Sequence, residues 1–434
     1  MQRLQTGGRA QPAPSGWRVA QLLQAPHRLA FAAAAFILAS ASLWWALVNL
    51  APVEGMAVRW ALPPATAHSV TMTFGFMPLF FVGFLFTAGP KWLAQPAVKA
   101  ESLLSPILAM VCGWSVFALS VHGRDAAFGQ SIGSIGLAAA TLGWLAIAWR
   151  FVRLVRTSRV ADRTHARLVA IAALLGSAAL AATVFGVATA DFQLVRVATV
   201  FALWGFVGLV FAAVAHRMIP FFSAAAVPAL DAWRPLWLLW AFVSLFLFEA
   251  LAGICETYGW GSGPALRARR AALELALGAG LLALAVRWGL VQSLRIRLLA
   301  MLHFGFTWLG IALLLAGVSR LMTAGDPDSS LGLAPLHAYT MGFLGSTMFA
   351  MVTRVSCGHG GRTLVADDFV WRLFQVLQLA VAVRVVAALL PAEAAVMSVG
   401  LVASAAVGWA GVFLAWGLRY GRWYGTPRPD GRPG

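Results

Sequence analysis

The run HSVTMTFGFMPLFFVGFLFTAGPKW, residues 68–92, contains no acidic residue and no arginine, and its one lysine stands second from its end. It is longer than the roughly 20 apolar residues a helix needs to cross the hydrocarbon of a bilayer. Comparable runs recur through the whole 434-residue chain, which is 61% hydrophobic and 11% charged. Soluble domains carry about 25% charged residues, so the composition excludes a water-soluble fold. The apolar segments fall at roughly 30–50, 66–88, 103–122, 131–149, 168–190, 195–215, 235–256, 271–290, 298–318, 333–353, 373–391 and 394–416, by the length a spanning helix requires. Pro63-Pro64, Gly89-Pro90 and Asp326-Pro327 punctuate them. The expectation is an all-α polytopic transmembrane bundle of about 12 spans. Residues 1–29 form an arginine-rich N-terminal segment, 30–417 a single membrane domain and 418–434 a tail. Ala39-Ser40-Ala41 imitates a signal-peptidase site, but the apolar run continues through Trp44 and Trp45 to Leu50, so it reads as an uncleaved first span.

Charge sets the expected orientation. With the N-terminus cytoplasmic, 24 of the 32 Lys and Arg fall on one side, among them the cluster Arg150, Arg153, Arg156, Arg159, Arg163 and Arg167. Lys/Arg excess marks cytoplasmic loops, so both termini are expected inside. The net charge of +17 is then loop arginine facing a membrane, with no nucleic-acid partner. Arg267, Arg269 and Arg270 form the one discordant loop. Cys112, Cys255 and Cys357 lie far apart without a C-x-x-C pair, which gives neither a disulfide framework nor a thiolate zinc site.

The eight histidines sort into two layers on this topology. His68, His122 and His337 lie at outer ends of spans; His27, His216, His303 and His359 lie near inner ends. His165, among arginines, and His27, beside Arg28, read as solvated residues of no special role. Span two opens His68-Ser-Val-Thr71-Met72 and span ten opens His337-Ala-Tyr339-Thr340-Met341, both H-x-x-T-M. Span six opens Arg196-Val-Ala-Thr199, the same frame with Arg for His. Two imidazoles at equal depth on separate helices are what a six-coordinate haem iron requires, so His68 and His337 are the expected axial ligands. Arg124, Arg196 and Arg320 are candidates for the propionates, because guanidinium suits carboxylate. His216, His303 and His359, with Cys357 or Met218, form a second candidate metal cluster suited to copper. Gly358-His359-Gly360-Gly361-Arg362 could instead bind an anion or lipid headgroup.

Buried charge is the remaining signal. Glu249 lies inside span seven, and Arg384 lies about 18 Å beyond Arg372 along span eleven at 1.5 Å per residue. Charges at that depth are costly unless paired or facing water. They are expected to pair with each other, to carry protons, or, for Arg384, to meet a propionate. Used as a midplane site, Glu249 and Arg384 would make the protein a secondary transporter of a small anion or metal.

Three separated regions resemble the NnrS family. They are His68 to Trp92 with Phe74-Gly75-Phe76, then His216-Arg217-Met218-Ile219-Pro220-Phe221-Phe222, then Leu336-His337 through Arg354 with the ending Gly358-His359-Gly360-Gly361-Arg362. The resemblance implies a haem- and copper-containing protein of the bacterial cytoplasmic membrane, linked to nitric oxide metabolism and nitrosative stress. A b-type haem, copper, nitric oxide and a membrane electron donor are the cofactors and partners that follow. One departure is visible: the family's second span opens Trp-His-x-His-Glu, whereas this chain keeps only His68, with Ala67, Val70 and Thr71 at the other positions. A looser likeness to heme–copper oxidase catalytic subunits fails at span seven, which lacks the paired histidines. Tyr339 also stands where a second span-ten histidine would be. The leading reading is a haem-binding membrane protein of the nitric oxide response; the alternative is the transporter.

Overall fold

The computed structural model describes residues 16–261 and 263–431; Arg3, Arg9 and Arg432 of the expected cytoplasmic segments lie outside them. Among the described residues there is no strand. The long helices are α1 Pro26–Leu50, α2 Pro64–Phe74, α3 Met77–Trp92, α4 Glu101–Ser120, α5 Ala126–Thr157, α6 Thr164–Ala188, α7 Phe192–Ala202 and α8 Leu209–Ala226. They continue as α9 Leu236–Thr257, α10 Pro264–Arg287, α11 Arg297–Gly325, the single turn α12 Ala334–His337, α13 Ser346–His359, α14 Asp368–Leu389 and α15 Ala395–Tyr424. Ten helical stretches among the described residues are long and apolar enough to cross a membrane, counting α2–α3 and α7–α8 as one each. The two other apolar segments are helical as well. One, α10, carries Arg267, Arg269, Arg270 and Glu274 in its first half, and the other, 334–359, is broken into short pieces.

Local chemistry explains the ends. Asp125, Asp191 and Asp367 each precede a helix and accept a backbone N–H from its first turn, from Phe128 (2.8 Å), Leu194 (2.9 Å) and Val370 (3.1 Å). This satisfies donors that a helix start leaves orphaned. Span two breaks between α2 and α3 because Pro78 has no N–H and its ring opposes the carbonyl four residues back. The helix therefore stops at Phe74 and restarts at Met77.

Helix pairing follows small residues, as in other membrane bundles. On α4 and α5, a Cβ at Gly113 would lie 2.4 Å from the Gly136 carbonyl and one at Gly136 2.7 Å from the Gly113 carbonyl. On α10 and α11, Gly278 and Gly310 approach each other in the same way. The last helix, α15, packs along both α14 and α1 and so closes the bundle. The expected boundaries shift accordingly: α1 starts at Pro26, ahead of residue 30, and α15 runs past 417 to Tyr424. The segments outside the bundle are also tied together. Trp17 donates to the Gly421 carbonyl at 3.0 Å, and the Arg28 guanidinium donates to the carbonyls of Tyr424 and Thr426 at 3.3 and 2.9 Å.

Candidate functional site

The three segments that open at His68, Arg196 and His337 share an irregularity in the register of their near-repeat. Seven residues beyond His68 stands Gly75, where α2 ends. Seven beyond Arg196 stands Leu203, which opens a π-helical stretch, Leu203–Gly208. Seven beyond His337 stands Leu344, inside a second π-helical stretch, Ala338–Gly345. Such stretches release backbone groups from the helical ladder and are frequent at functional sites. Here the released groups are used. Tyr339 donates its hydroxyl to the Leu203 carbonyl at 2.8 Å, and its ring stacks on Trp204 at 3.9 Å between centroids. Gly208 makes the room, since a Cβ there would lie 2.4 Å from Phe246 and 2.7 Å from the Tyr339 oxygen. Beside them, Trp308 donates to Gln378 and Gln378 to Ser346, both at 2.8 Å, holding the start of α13 against α11 and α14.

These irregular segments border a cavity of about 260 Å³. His68, His337 and Arg384 all line it, so the sequence-predicted histidines and one of the two buried charges come together. Met72, Phe76, Met341 and Trp409 supply apolar wall. The His337 ring is oriented by its own helix turn: Nδ1 lies 3.0 Å from the Leu333 carbonyl. A proton on Nδ1 satisfies that contact and leaves the Nε2 lone pair available, the usual arrangement of a metal-binding imidazole. His68 stacks almost flat on Trp45, 3.9 Å between centroids and 13° between planes. Arg384 is half-buried, with no hydrogen-bonded or ion-paired partner among the described residues. Two imidazoles and an uncompensated guanidinium can together ligate a metal and hold a carboxylate. Arg196 is exposed and lies outside this cavity.

The Glu249–Arg384 pair does not form. Glu249 is buried and accepts from Arg270 at 2.8 Å. Arg270 also meets Glu274 at 2.8 Å and Glu256 at 3.4 Å, and Arg320 meets Glu274 at 2.8 Å and Glu256 at 2.9 Å. This network explains the discordant loop: Arg270 is held among carboxylates at the start of α10. Arg320 is likewise committed there, and Arg124 pairs with its neighbour Asp125 at the surface.

The inner histidines do not converge. His216 places Nδ1 3.0 Å from His165 Nε2 and Nε2 3.1 Å from the Pro235 carbonyl, so both of its nitrogens are engaged. His303 meets Ser223 Oγ at 2.9 Å. His359 lies beside His27, 5.3 Å between ring centroids. No group of three or more His, Cys, Asp or Glu suited to a metal occurs among the described residues. His165 and His27, read as solvated, are both buried. The Gly358–Arg362 turn has a structural task. Gly361 sits at φ +67°, where a Cβ would strike the Asp430 carboxylate at 2.8 Å. Arg362 lies over the Trp423 ring at 4.1 Å, and Arg428 donates to the His359 carbonyl at 3.0 Å. The turn thereby clasps the tail.

Sequence reasoning missed Trp45, whose signal was its place beside Trp44 on the first span, and the His165–His216 contact, which no spacing rule announces. Apolar helices closing around an internal cavity lined by histidine define a multi-pass membrane protein with a candidate ligand site inside the bundle. The sequence model of the NnrS family, described as NnrS protein, matches residues 21–428. The chain belongs to that family. No curated protein matches the chain.

Proposed function

We propose that this is a haem-binding protein of the bacterial cytoplasmic membrane that acts in nitric oxide metabolism or nitrosative-stress resistance. In this reading it has about 12 spans with both termini cytoplasmic. The observation that carries the proposal is the meeting of His68, His337 and Arg384 on one cavity. The donor set fits a haem: imidazoles from two helices would hold the iron, an unpaired guanidinium would take a propionate, and methionine and aromatic walls would pack on the macrocycle. At about 260 Å³ the cavity lies below the roughly 300–1,000 Å³ of most ligand pockets, so the reading rests on the donors and not on the volume. When bound, haem supplies one-electron chemistry and an iron able to take nitric oxide when a position opens. The residues around it do the rest. Leu333 fixes the His337 tautomer, Arg384 anchors a carboxylate, and the apolar wall limits water. A membrane electron donor completes the proposed partners.

A copper centre built from His216, His303 and His359 does not fit. His216 spends both nitrogens on other contacts, and the three imidazoles occupy three places. The transporter reading loses its site in the same way, because Glu249 and Arg384 belong to separate clusters. The test is physiological. A strain lacking the protein is complemented with the wild type or with His337→Ala and exposed to a nitric oxide donor. Wild type should restore growth and His337→Ala should not; equal rescue by both would overturn the proposal.

A further inference from the structure

Beyond the cavity, Trp45 leads from its stack on His68 to a second indole, tilted by 40°. Trp45 lies 5.8 Å from Trp44 between centroids, and Trp44 donates its indole N–H to His122 Nε2 at 2.9 Å. Trp60 sits edge-on to Trp44 at 6.3 Å and 5.1 Å from His122. The three indoles are half-buried and His122 is exposed. Tryptophan at the end of a membrane bundle is ordinarily an interfacial anchor. Anchoring requires neither a parallel stack on a candidate ligand nor an indole N–H given to an imidazole in place of water or a headgroup.

We propose that Trp45 and Trp44 form a one-electron relay between the haem site and the end of the bundle that carries His122, with His122 as the proton acceptor. The relay rests on the haem reading. An indole has one N–H and no acceptor, and it becomes strongly acidic once an electron is removed; a neutral imidazole nitrogen is an acceptor in place to take that proton. A one-electron oxidant such as nitrogen dioxide, reduced to nitrite at the site, draws one electron from Trp44 through Trp45 and His68. The Trp44 N–H bond breaks and an Nε2–H bond forms on His122. A one-electron donor, a reduced metalloprotein or a hydroquinone, reaching the exposed end returns the electron, and the proton moves back. The partner class follows: a redox carrier that approaches the Trp60–His122 end.

The test uses purified haem-loaded protein in the ferrous state and a flash-generated ruthenium(III) tris-bipyridine complex as oxidant, read by transient absorption and electron paramagnetic resonance. The wild type should give a neutral tryptophan radical that decays as the haem is oxidised. Trp44→Phe should abolish that radical, and His122→Phe should leave it in the cationic form. Trp45→Phe should keep the Soret band and slow the decay about tenfold, the equivalent of roughly 1.4 kcal/mol of barrier. Trp45→Leu, measured in parallel, separates loss of packing from loss of the relay: both variants should keep the band and slow alike. A Soret band with an unchanged decay, or a neutral radical surviving in His122→Phe, overturns the relay alone. A wild type with no Soret band overturns the haem reading, and the relay with it.

Discussion

Arg270 shows how a single side chain can defeat a counting rule. The orientation expected from charge leaves it in a discordant loop, yet its guanidinium is the partner of buried Glu249 and buried Glu274. Removing one partner of a buried pair leaves an uncompensated charge, so Arg270→Ala should cost about 3–5 kcal/mol. Thermal unfolding in detergent would show it, and a loss confined to a few tenths would contradict the assignment. Tyr339→Phe should cost about 1–2 kcal/mol by orphaning the Leu203 carbonyl, measurable by the same melt. At the surface, burial opposes the Asp367 carboxylate, but hydrogen bonds from Val370 N–H and Arg419 hold its pKa below the usual range. Its stabilisation is therefore present above the ordinary carboxylate pKa and fades as pH falls through the lower folded value. The stability gap between wild type and Asp367→Asn should be open at pH 7 and close below about pH 4. That His68 and His337 line one cavity was legible in the sequence, because residue type and helix interval agreed. Arg384 was legible as buried, but its spacing left pairing with Glu249 and meeting a propionate equally open, since nothing in one chain's spacing tells which helix faces which; the structure removes the first.

At the level of elements, ten of the twelve apolar segments are helices long and apolar enough to cross a membrane, and these were readable because hydrophobic length is a strong signal. The π-helical stretches were not, because they arise from contacts between spans: Tyr339 reaches Leu203 only once Gly208 has admitted it. Gly208→Val should force Phe246 and Tyr339 apart and destabilise by about 1–3 kcal/mol. The break in span two, by contrast, has a local cause in Pro78. The glycine seam of α4 and α5 makes a separate prediction. Gly136→Leu would drive a side chain into the Gly113 backbone, and the variant should be recovered from membranes in much lower yield than Ser131→Leu on an exposed part of the same helix.

The molecule as a whole is a closed bundle whose last helix returns to the first, with its tail clasped by Arg28, Arg362 and Arg428. That closure accounts for the Gly-His-x-Gly-Arg turn, which composition could flag and only tertiary contact could explain. It also places the cavity between spans that are far apart in sequence: α1, α2, the two π-helical stretches, α14 and α15. The central claim is that this cavity holds a haem between His68 and His337. The most direct measurement is the reduced-minus-oxidised visible spectrum of the purified protein with iron quantified on the same sample, set beside His68→Ala and His337→Ala. The account predicts sharp α and β bands with about one iron per chain, as for a two-histidine haem, lost or converted in each variant. Featureless spectra after expression with ample haem, or bands unchanged in both variants, would contradict it.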